Sequence, residues 1–241
     1  MEQSLNPIAG TAQEAGFLAH IACDMVIFGF DGQQLKILIM EYHNTKLFAL
    51  PAGFVKINEG LDDAVKRGLH SRTGLSNIYL EQFYTFGSLE RHVPKTLRKI
   101  LINNGNQQIS DSHWLLDRFF SIGYYALINY WEVKPEPDSL SDSCEWYDVN
   151  NLPELILDHK EIVSKALDTL RSNLDKKLKE SNLMPPKFTM NQLQKVYEVI
   201  LGEKLRRTSF QRRMLGLNIL ERHEKQYLGK AHKAPFLYSF K

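Results

Sequence analysis

Two consecutive prolines divide the chain into parts of opposite charge. A helix does not continue through Pro185-Pro186, because proline lacks a backbone N–H and its ring clashes with the preceding turn. Residues 186–241 contain 12 Lys or Arg and 4 Asp or Glu, whereas residues 1–185 contain 18 and 24. The small net charge of +2 therefore hides an acidic body and a basic module. This split indicates a nucleic-acid-binding segment joined to a domain with another task.

The acidic part alternates short β-rich segments with one good helical pattern, which is typical of an α/β (α+β) sandwich. Residues 119–130 are long and apolar on both faces, so we place them in the centre of the sheet. Glu90–Asp117 is rich in Asn, Gln, Lys and Ser, and connections of that length are usually functional or disordered. The predicted elements are strands at Ile21–Gly29, Leu35–Tyr42, Leu80–Phe86, Phe119–Trp131 and Glu145–Tyr147, and a helix at Leu61–Thr73.

A long helix is predicted before the proline pair. Ile162, Ala166, Leu170 and Leu174 recur at helical spacing between Asp158 and Leu178. We therefore predict an N-terminal tail at 1–15, an α/β domain at 16–155, a linker helix at 156–183 and a DNA-binding domain at 184–241.

The basic module has the pattern of a winged helix. Thr189 and Gln192 form a capping box that opens a first helix. A second helix is predicted to begin near Thr208, with Gln211 as a second capping signal. Its apolar residues Phe210, Met214 and Leu217 are expected to anchor it to the first helix, and strands at Glu224–Leu228 and Phe236–Phe240 would form the wing.

The second helix of such a module lies in the major groove of DNA. Arg and Gln can bond guanine and adenine edges, whereas Thr and Ser at a helix start suit phosphates. The alternative is a basic surface that docks another protein. The predicted DNA-binding residues are Arg206, Arg207, Thr208, Ser209, Gln211, Arg212 and Arg213 on the helix, and Lys230, His232 and Lys233 in the wing.

Residues 53–75 carry a loop and a helix that stops at a glycine. Gly53, Glu59, Arg67, Gly74 and Leu75 stand at the spacings of a Nudix box, so this segment resembles the box of Nudix pyrophosphate hydrolases. The resemblance implies that Arg67 braces the loop against Glu59.

The metal-binding positions of that box depart from the pattern. They read Gly68, Ser71 and Arg72 instead of glutamates. Mg²⁺ takes oxygen ligands, and a guanidinium on the same helix face would repel it. We therefore expect no bound metal, no cofactor and no hydrolase activity. The alternative is an atypical Nudix hydrolase that recruits Glu41, Glu59 or Asp62.

From about Gly16 to Lys241 the chain resembles the Nudix-related transcriptional regulators. The resemblance implies a homodimer that binds a near-palindromic operator in double-stranded DNA, and a former hydrolase pocket that senses ADP-ribose or a pentose such as arabinose. The predicted effector-binding residues are Phe54, Glu59, Arg67, Phe86, Arg91 and Arg118.

The remaining composition favours a soluble cytoplasmic protein. No apolar run approaches the length of a membrane span, and the first 22 residues lack the pattern of an export signal. Cys23 and Cys144 have no metal-ligand spacing, so free thiols in a reducing compartment are expected.

Overall fold

A seven-stranded mixed sheet forms the acidic part of the chain. The computed structural model describes residues 11–105, 109–181, 183–226 and 234–241, with Arg72 and Glu132 described by their backbone alone. The strands are β1 (Phe17–Phe30), β2 (Leu35–Tyr42), β3 (Phe48–Ala49), β4 (Ala52–Lys56), β5 (Glu81–Phe86), β6 (Phe120–Asn129) and β7 (Ser141–Asp148).

Strand β6 lies inside this sheet, as its composition predicted. It pairs in parallel with β1 and antiparallel with β5, while β1 also pairs with β2 and β4, and β2 with β3 and β7. Alternate residues of a strand face opposite sides. Accordingly, Tyr125 and Leu127 join one apolar cluster, and Tyr124 and Ala126 join another. The apolar residues on both faces of β6 are thus used in two separate cores.

Helices cover both faces of the sheet. Helix α1 (Leu61–Thr73) packs Val65 and Leu69 into one cluster, and α3 (His159–Ser172) packs Ile162 and Ala166 into the other. The α/β sandwich is therefore confirmed. No helix in the described ranges is both long enough and apolar enough to cross a bilayer.

The polar segment 90–117 is not a plain loop. It contains α2 (Pro94–Asn103) and 3-10 turns at Leu89–Arg91 and Trp114–Leu116. Helix α2 forms because Pro94 stands in its first turn, where the missing N–H costs nothing, and because Ile100 and Leu101 are buried. Ile100 packs with Ala49 and Ile156, so the insertion lies against the sheet domain.

The predicted linker helix is two helices. Helix α3 ends at Ser172, and α4 (Leu174–Glu180) follows after Asn173. The Asn173 side chain donates to the carbonyl of Thr169 at 3.1 Å, the local bond by which Asn competes with a continuing helix. The expected buried register of Ile162, Ala166, Leu170 and Leu174 is confirmed.

The basic module has the order of a winged helix. It contains α5 (Met190–Leu201), α6 (Arg207–Gly216) and a small sheet in the order β8 (Phe188–Thr189), β10 (Phe236–Phe240), β9 (Leu220–Lys225). The Thr189–Gln192 capping box at α5 is confirmed.

Three details of the module differ from expectation. Strand β9 begins at Leu220, four residues early, because the buried Leu220 pairs with Phe240. Helix α6 begins at Arg207 with no side-chain cap among the described atoms, so the capping role of Gln211 was wrong. Leu217 is 40% exposed and does not anchor the helix, which Phe210 and Met214 do.

Candidate functional site

The box loop is held by a single arginine. Arg67 Nε and Nη2 donate to the two carboxylate oxygens of Glu59 at 2.7 and 2.8 Å, and Nη2 also donates to the Phe54 carbonyl at 2.9 Å. The hydrogen bond from Arg67 lowers the pKa of Glu59. The brace implied by the resemblance is therefore confirmed, and Gly74 ends α1 in the left-handed region at φ 71°.

The helix face that would hold a metal in a Nudix hydrolase is occupied beside Gly68 by a methionine. A Cβ added at Gly68 would lie 2.9 Å from Met25 Cε, and Ser71 Oγ donates to the Gly68 carbonyl at 2.9 Å. The side chain of Arg72 lies outside the described part of the chain. Among the residues that the structure describes, no group of three His, Cys, Asp or Glu is placed to hold a metal ion. These residues therefore do not fit the Nudix metal.

A cavity of about 170 Å³ opens on the other side of β1, since Asp24 lines it whereas the next residue, Met25, faces Gly68. Helix α2 covers it with Leu97, Ile100 and Leu101. Its remaining lining residues are Ala22, Met40, Tyr42, Ala52, Gly53, Phe54, Arg91, Leu115, Asp117, Phe119, Asp138, Leu140, Ile156, Leu157 and His159. Helix α2, within the polar segment 90–117, thus forms one wall of the cavity.

A buried ion network forms the polar wall of this cavity. Arg91 is 7% exposed, and its Nη1 contacts both oxygens of Asp158 at 2.5 Å. Its Nη2 donates to Asp24 at 3.3 Å, and Ser121 Oγ donates to the same carboxylate at 2.5 Å. Arg91 Nε is buried with no hydrogen-bond partner in the described part of the chain. Two carboxylates therefore neutralise the Arg91 guanidinium through its Nη atoms.

His159 is held in one tautomer beside this network. Its Nδ1 accepts from the Leu50 amide at 3.0 Å, so the proton of the neutral ring is on Nε2, 3.7 Å from Asp24. Burial is the main cause that lowers the pKa of His159, with the Asp24 charge opposing it. The ring is neutral at pH 7 and adds no positive charge to the cavity.

Two of the six predicted effector residues line the cavity. Phe54 and Arg91 do, whereas Glu59 and Arg67 pair with each other under the loop. Phe86 packs in the core 6.0 Å from Phe83, and the Arg118 guanidinium lies 5.2 Å above the Phe120 ring. The forked phosphate donors expected from arginine are therefore not offered by Arg67 or Arg118 at this cavity.

Sequence reasoning missed Asp24, Asp158 and His159. Asp24 had a usable signal, since it is a lone acid inside the apolar strand β1. Asp158 and His159 meet it only through the fold, 67 residues from Arg91 in the case of Asp158. Their position just before α3 carried no signal of its own.

The start of α6 presents a basic surface. Arg206, Arg207, Thr208, Ser209 and Arg212 are exposed, and Gln211 is half-buried. A depression of about 240 Å³ between α6, the start of α5 and the wing strands is lined in part by Arg207, Gln211 and Lys225.

The other predicted DNA-binding residues are placed differently. Arg213 is exposed, but its guanidinium contacts Asp175 of α4 at 2.8 Å, because it lies on the side of α6 that faces α4. Lys230, His232 and Lys233 lie outside the described residues.

Known proteins are similar to the basic module and to the chain as a whole. Residues 180–240 match the family described as the NrtR DNA-binding winged helix domain. The chain is 29% identical over 224 residues to the ADPR responsive transcriptional repressor NtrR of Acinetobacter baylyi, covering 90% of this chain and 80% of that protein.

Two crystal structures of NrtR from Shewanella oneidensis are similar over nearly the whole chain. The first has a TM-score of 0.66 and 26% identity, covering 92% of this chain and 94% of that one. The second, complexed with a 27mer DNA, has a TM-score of 0.67 and 25% identity, covering 92% and 93%. The order of sheet domain and winged helix is therefore shared with these structures.

Proposed function

We propose that the chain is an NrtR-like member of the Nudix-related transcriptional regulators, that it binds operator DNA through α6, and that it senses a small metabolite in the Asp24–Arg91 cavity. One observation carries the DNA-binding part. The first two turns of α6 are exposed and basic, within a segment that matches a DNA-binding winged helix.

Direct reading of bases needs donors that protrude from a rigid helix. Phe210 and Met214 fix α6 from behind, since both are buried. Arg207 and Arg212 are left to reach guanine edges, and Thr208 and Ser209 to reach phosphates. As in the regulators that the chain resembles, we infer a homodimer on a near-palindromic site, working in the cytoplasm.

A gel-shift assay with the DNA upstream of the protein's own gene tests this part. The proposal expects a shift that competes with unlabelled specific duplex and weakens as salt rises. Equal affinity for unrelated duplex, or no shift at all, would instead favour the docking of another protein on the same basic surface.

The cavity suits the ring of a pentose, either free or as the terminal ribose of ADP-ribose. Asp24 and Asp117 offer acceptors for hydroxyl groups, and Phe54 and Phe119 offer apolar faces. The cavity wall carries one guanidinium, Arg91, and the carboxylates of Asp24, Asp117 and Asp138. Its negative charge would repel phosphates. The phosphates of ADP-ribose would therefore lie outside it, and the ADPR-responsive relative supports the nucleotide as the first ligand to try.

Calorimetric titration with ADP-ribose, arabinose, ribose and xylose separates the two sources. Binding of ADP-ribose alone assigns the nucleotide, and binding of a free pentose assigns the sugar. Asp117→Asn, at an exposed position of the cavity wall, is expected to weaken binding about tenfold, the scale of a hydrogen bond to a charged group. Asp63→Asn on α1 is the matched control. No binding by any of the four ligands would sink the cavity assignment.

The proposal excludes hydrolase activity on the basis of the residues present. Glu41, Glu59 and Asp62, the acids that an atypical enzyme would recruit, each have another partner: Lys46 at 3.0 Å, Arg67 at 2.7 Å and the Tyr124 hydroxyl at 2.9 Å. Glutamates at positions 68 and 71 are absent, and Met25 fills the space beside Gly68. Turnover assays on nucleoside diphosphate sugars with Mg²⁺ or Mn²⁺ are expected to show no product, and efficient cleavage would establish the enzyme instead.

A further inference from the structure

The short helix α4 contacts the recognition helix through one carboxylate. Asp175 Oδ1 accepts from the Tyr197 hydroxyl of α5 at 2.7 Å, and both Asp175 oxygens contact Arg213 Nη2 of α6 at 3.0 and 2.8 Å. The guanidinium of Arg213 also lies 5.9 Å above the buried Tyr197 ring. Three helices therefore meet at Asp175.

Lys177, two residues after Asp175, joins α4 to the seven-stranded sheet. The Lys177 side chain is 4% exposed, and its Nζ forms salt bridges with Glu81 of β5 and, at 2.8 Å, with Glu180. The Tyr125 hydroxyl of β6 donates to the same Glu81 at 2.9 Å, and Lys177 lies 4.5 Å above the Tyr79 ring. Burial acts to lower the pKa of Lys177, but the hydrogen bonds that Lys177 donates to Glu180 and Glu81 outweigh it and raise the pKa. The ammonium therefore stays charged.

The spacing of these two residues explains how one helix contacts both domains. Residues two apart on a helix do not share a face, so Asp175 and Lys177 project to different sides. Loss of either contact would remove the polar link from α4 to one of the two domains and leave the buried Leu174 and Leu178 in place.

We propose that Asp175 is a positioning residue for DNA recognition, and that α4 fixes the orientation of α6 relative to the sensing strand β5. This inference rests on the proposed role of α6 as the recognition helix. On this inference the half-exposed guanidinium of Arg213 holds α6 against α4 and does not contact DNA.

Hydrogen exchange of the full chain, measured by mass spectrometry without DNA, tests the connection directly. Asp175→Asn keeps an acceptor for Tyr197 and removes the charge, and Lys177→Met keeps the aliphatic stem. Both variants are expected to speed exchange of α6 amides about two- to fivefold, the range for a partly exposed ion pair. The effect of Lys177→Met is the stricter test, because the ion pairs of Lys177 in the described part of the chain are with Glu81 and Glu180, so Lys177 reaches α6 only through α4.

Matched controls are available on neighbouring turns. Lys176→Met changes an exposed lysine of the same helix, and Asp168→Asn changes an exposed acid of α3. Neither is expected to alter exchange in α6. Glu81→Gln removes the Lys177 contact from the sheet side, should Lys177→Met fail to fold.

The outcomes separate positioning from general stability. Two results would support the connection: faster exchange in α6 with unchanged exchange in α1, and an acceleration in the double variant Asp175→Asn/Lys177→Met that is smaller than the additive expectation. Equal acceleration of α1 and α6, or α6 exchange in Lys177→Met and Glu81→Gln identical to Lys176→Met, would overturn it.

Operator binding gives a second readout. Asp175→Asn is expected to weaken operator affinity about two- to fivefold with the salt dependence unchanged, because no phosphate contact is lost. A reduced salt slope would make Arg213 a phosphate contact and overturn the positioning role. If the wild-type chain binds no DNA, the proposed function fails, while the exchange data still decide whether α4 joins the two domains.

Discussion

Arg91 and Arg212 show how differently the two halves of this chain use the same side chain. Arg91 is buried in the sensing domain, where Asp24 and Asp158 neutralise it. Arg212 is exposed on α6 with its charge directed to solvent. A guanidinium engaged by two carboxylates holds a structure together, whereas an exposed one on a rigid helix is available to a polyanion. The number of arginines near a site therefore says little until their acidic partners are located.

Breaking the Arg91 network is expected to have the largest effect. Asp24→Ala removes a partner of both Arg91 and Ser121 in a buried place, and should lower the free energy of unfolding by about 3 to 5 kcal/mol. Urea denaturation measures it. Asp111→Ala breaks the exposed pair with Arg98 and should leave the midpoint unchanged, so equal losses in the two variants would contradict the contrast between buried and exposed pairs.

Removal of the exposed Arg212 side chain should weaken DNA binding without changing the stability of the fold. Arg212→Ala is expected to weaken operator binding by about 1 to 3 kcal/mol if it reads a base, with an unchanged unfolding midpoint. Fluorescence anisotropy with a labelled operator duplex measures this. Lys195→Ala on α5 is the control for the loss of one exposed positive charge. Unchanged affinity and salt dependence in Arg212→Ala would remove Arg212 from the interface.

A smaller effect is expected from pH. The pKa of His159 is lowered in the folded chain, so the unfolded chain binds more protons once pH falls below the ordinary histidine value. Stability should be full above about pH 6.5 and fall as pH drops toward the lowered pKa. His159→Gln can still accept from the Leu50 amide, and it should flatten this loss between pH 7 and 5.5, which calorimetric melting measures.

An exposed histidine provides the comparison for that slope. His70→Gln on α1 should leave the pH dependence of melting as in the wild type. If His159→Gln and the wild type lose stability in parallel, the acid sensitivity comes from other groups.

Local patterns in the sequence predicted the elements that depend on neighbours in the chain. The helix Leu61–Thr73 was predicted with its observed bounds, because an apolar stripe and a following glycine define it locally. The Thr189–Gln192 box was equally local. Helix α2 was not predicted, because the polar residues on either side of it indicated a loop. Pro94 at its start and the apolar Leu97, Ile100 and Leu101 on one side were signals for the helix.

The cavity could not be predicted in the same way. Asp24, Arg91 and Asp158 come from three distant segments, and their meeting is decided by the pairing of β1 with β6 and by the position of α3. Glu59 and Arg67 of the Nudix-like box were predicted to bind the effector, but they pair with each other and brace the loop. Long-range burial of charge is a property of the assembled fold.

Gly68→Ala is expected to have the smallest effect and bears on the metal face. Alanine favours the helix over glycine by about 1 kcal/mol. The new Cβ would lie 2.9 Å from Met25 Cε, the far end of a flexible side chain, so a small rotation of Met25 can relieve the contact at some loss of packing. The two effects nearly cancel, and the unfolding midpoint should stay within about 1 kcal/mol of the wild type. Gly68→Glu at the same position should destabilise the chain, because a larger side chain must displace Met25 from the core. A tolerated glutamate that also confers metal-dependent turnover would mean that this face has kept the space of a Nudix hydrolase.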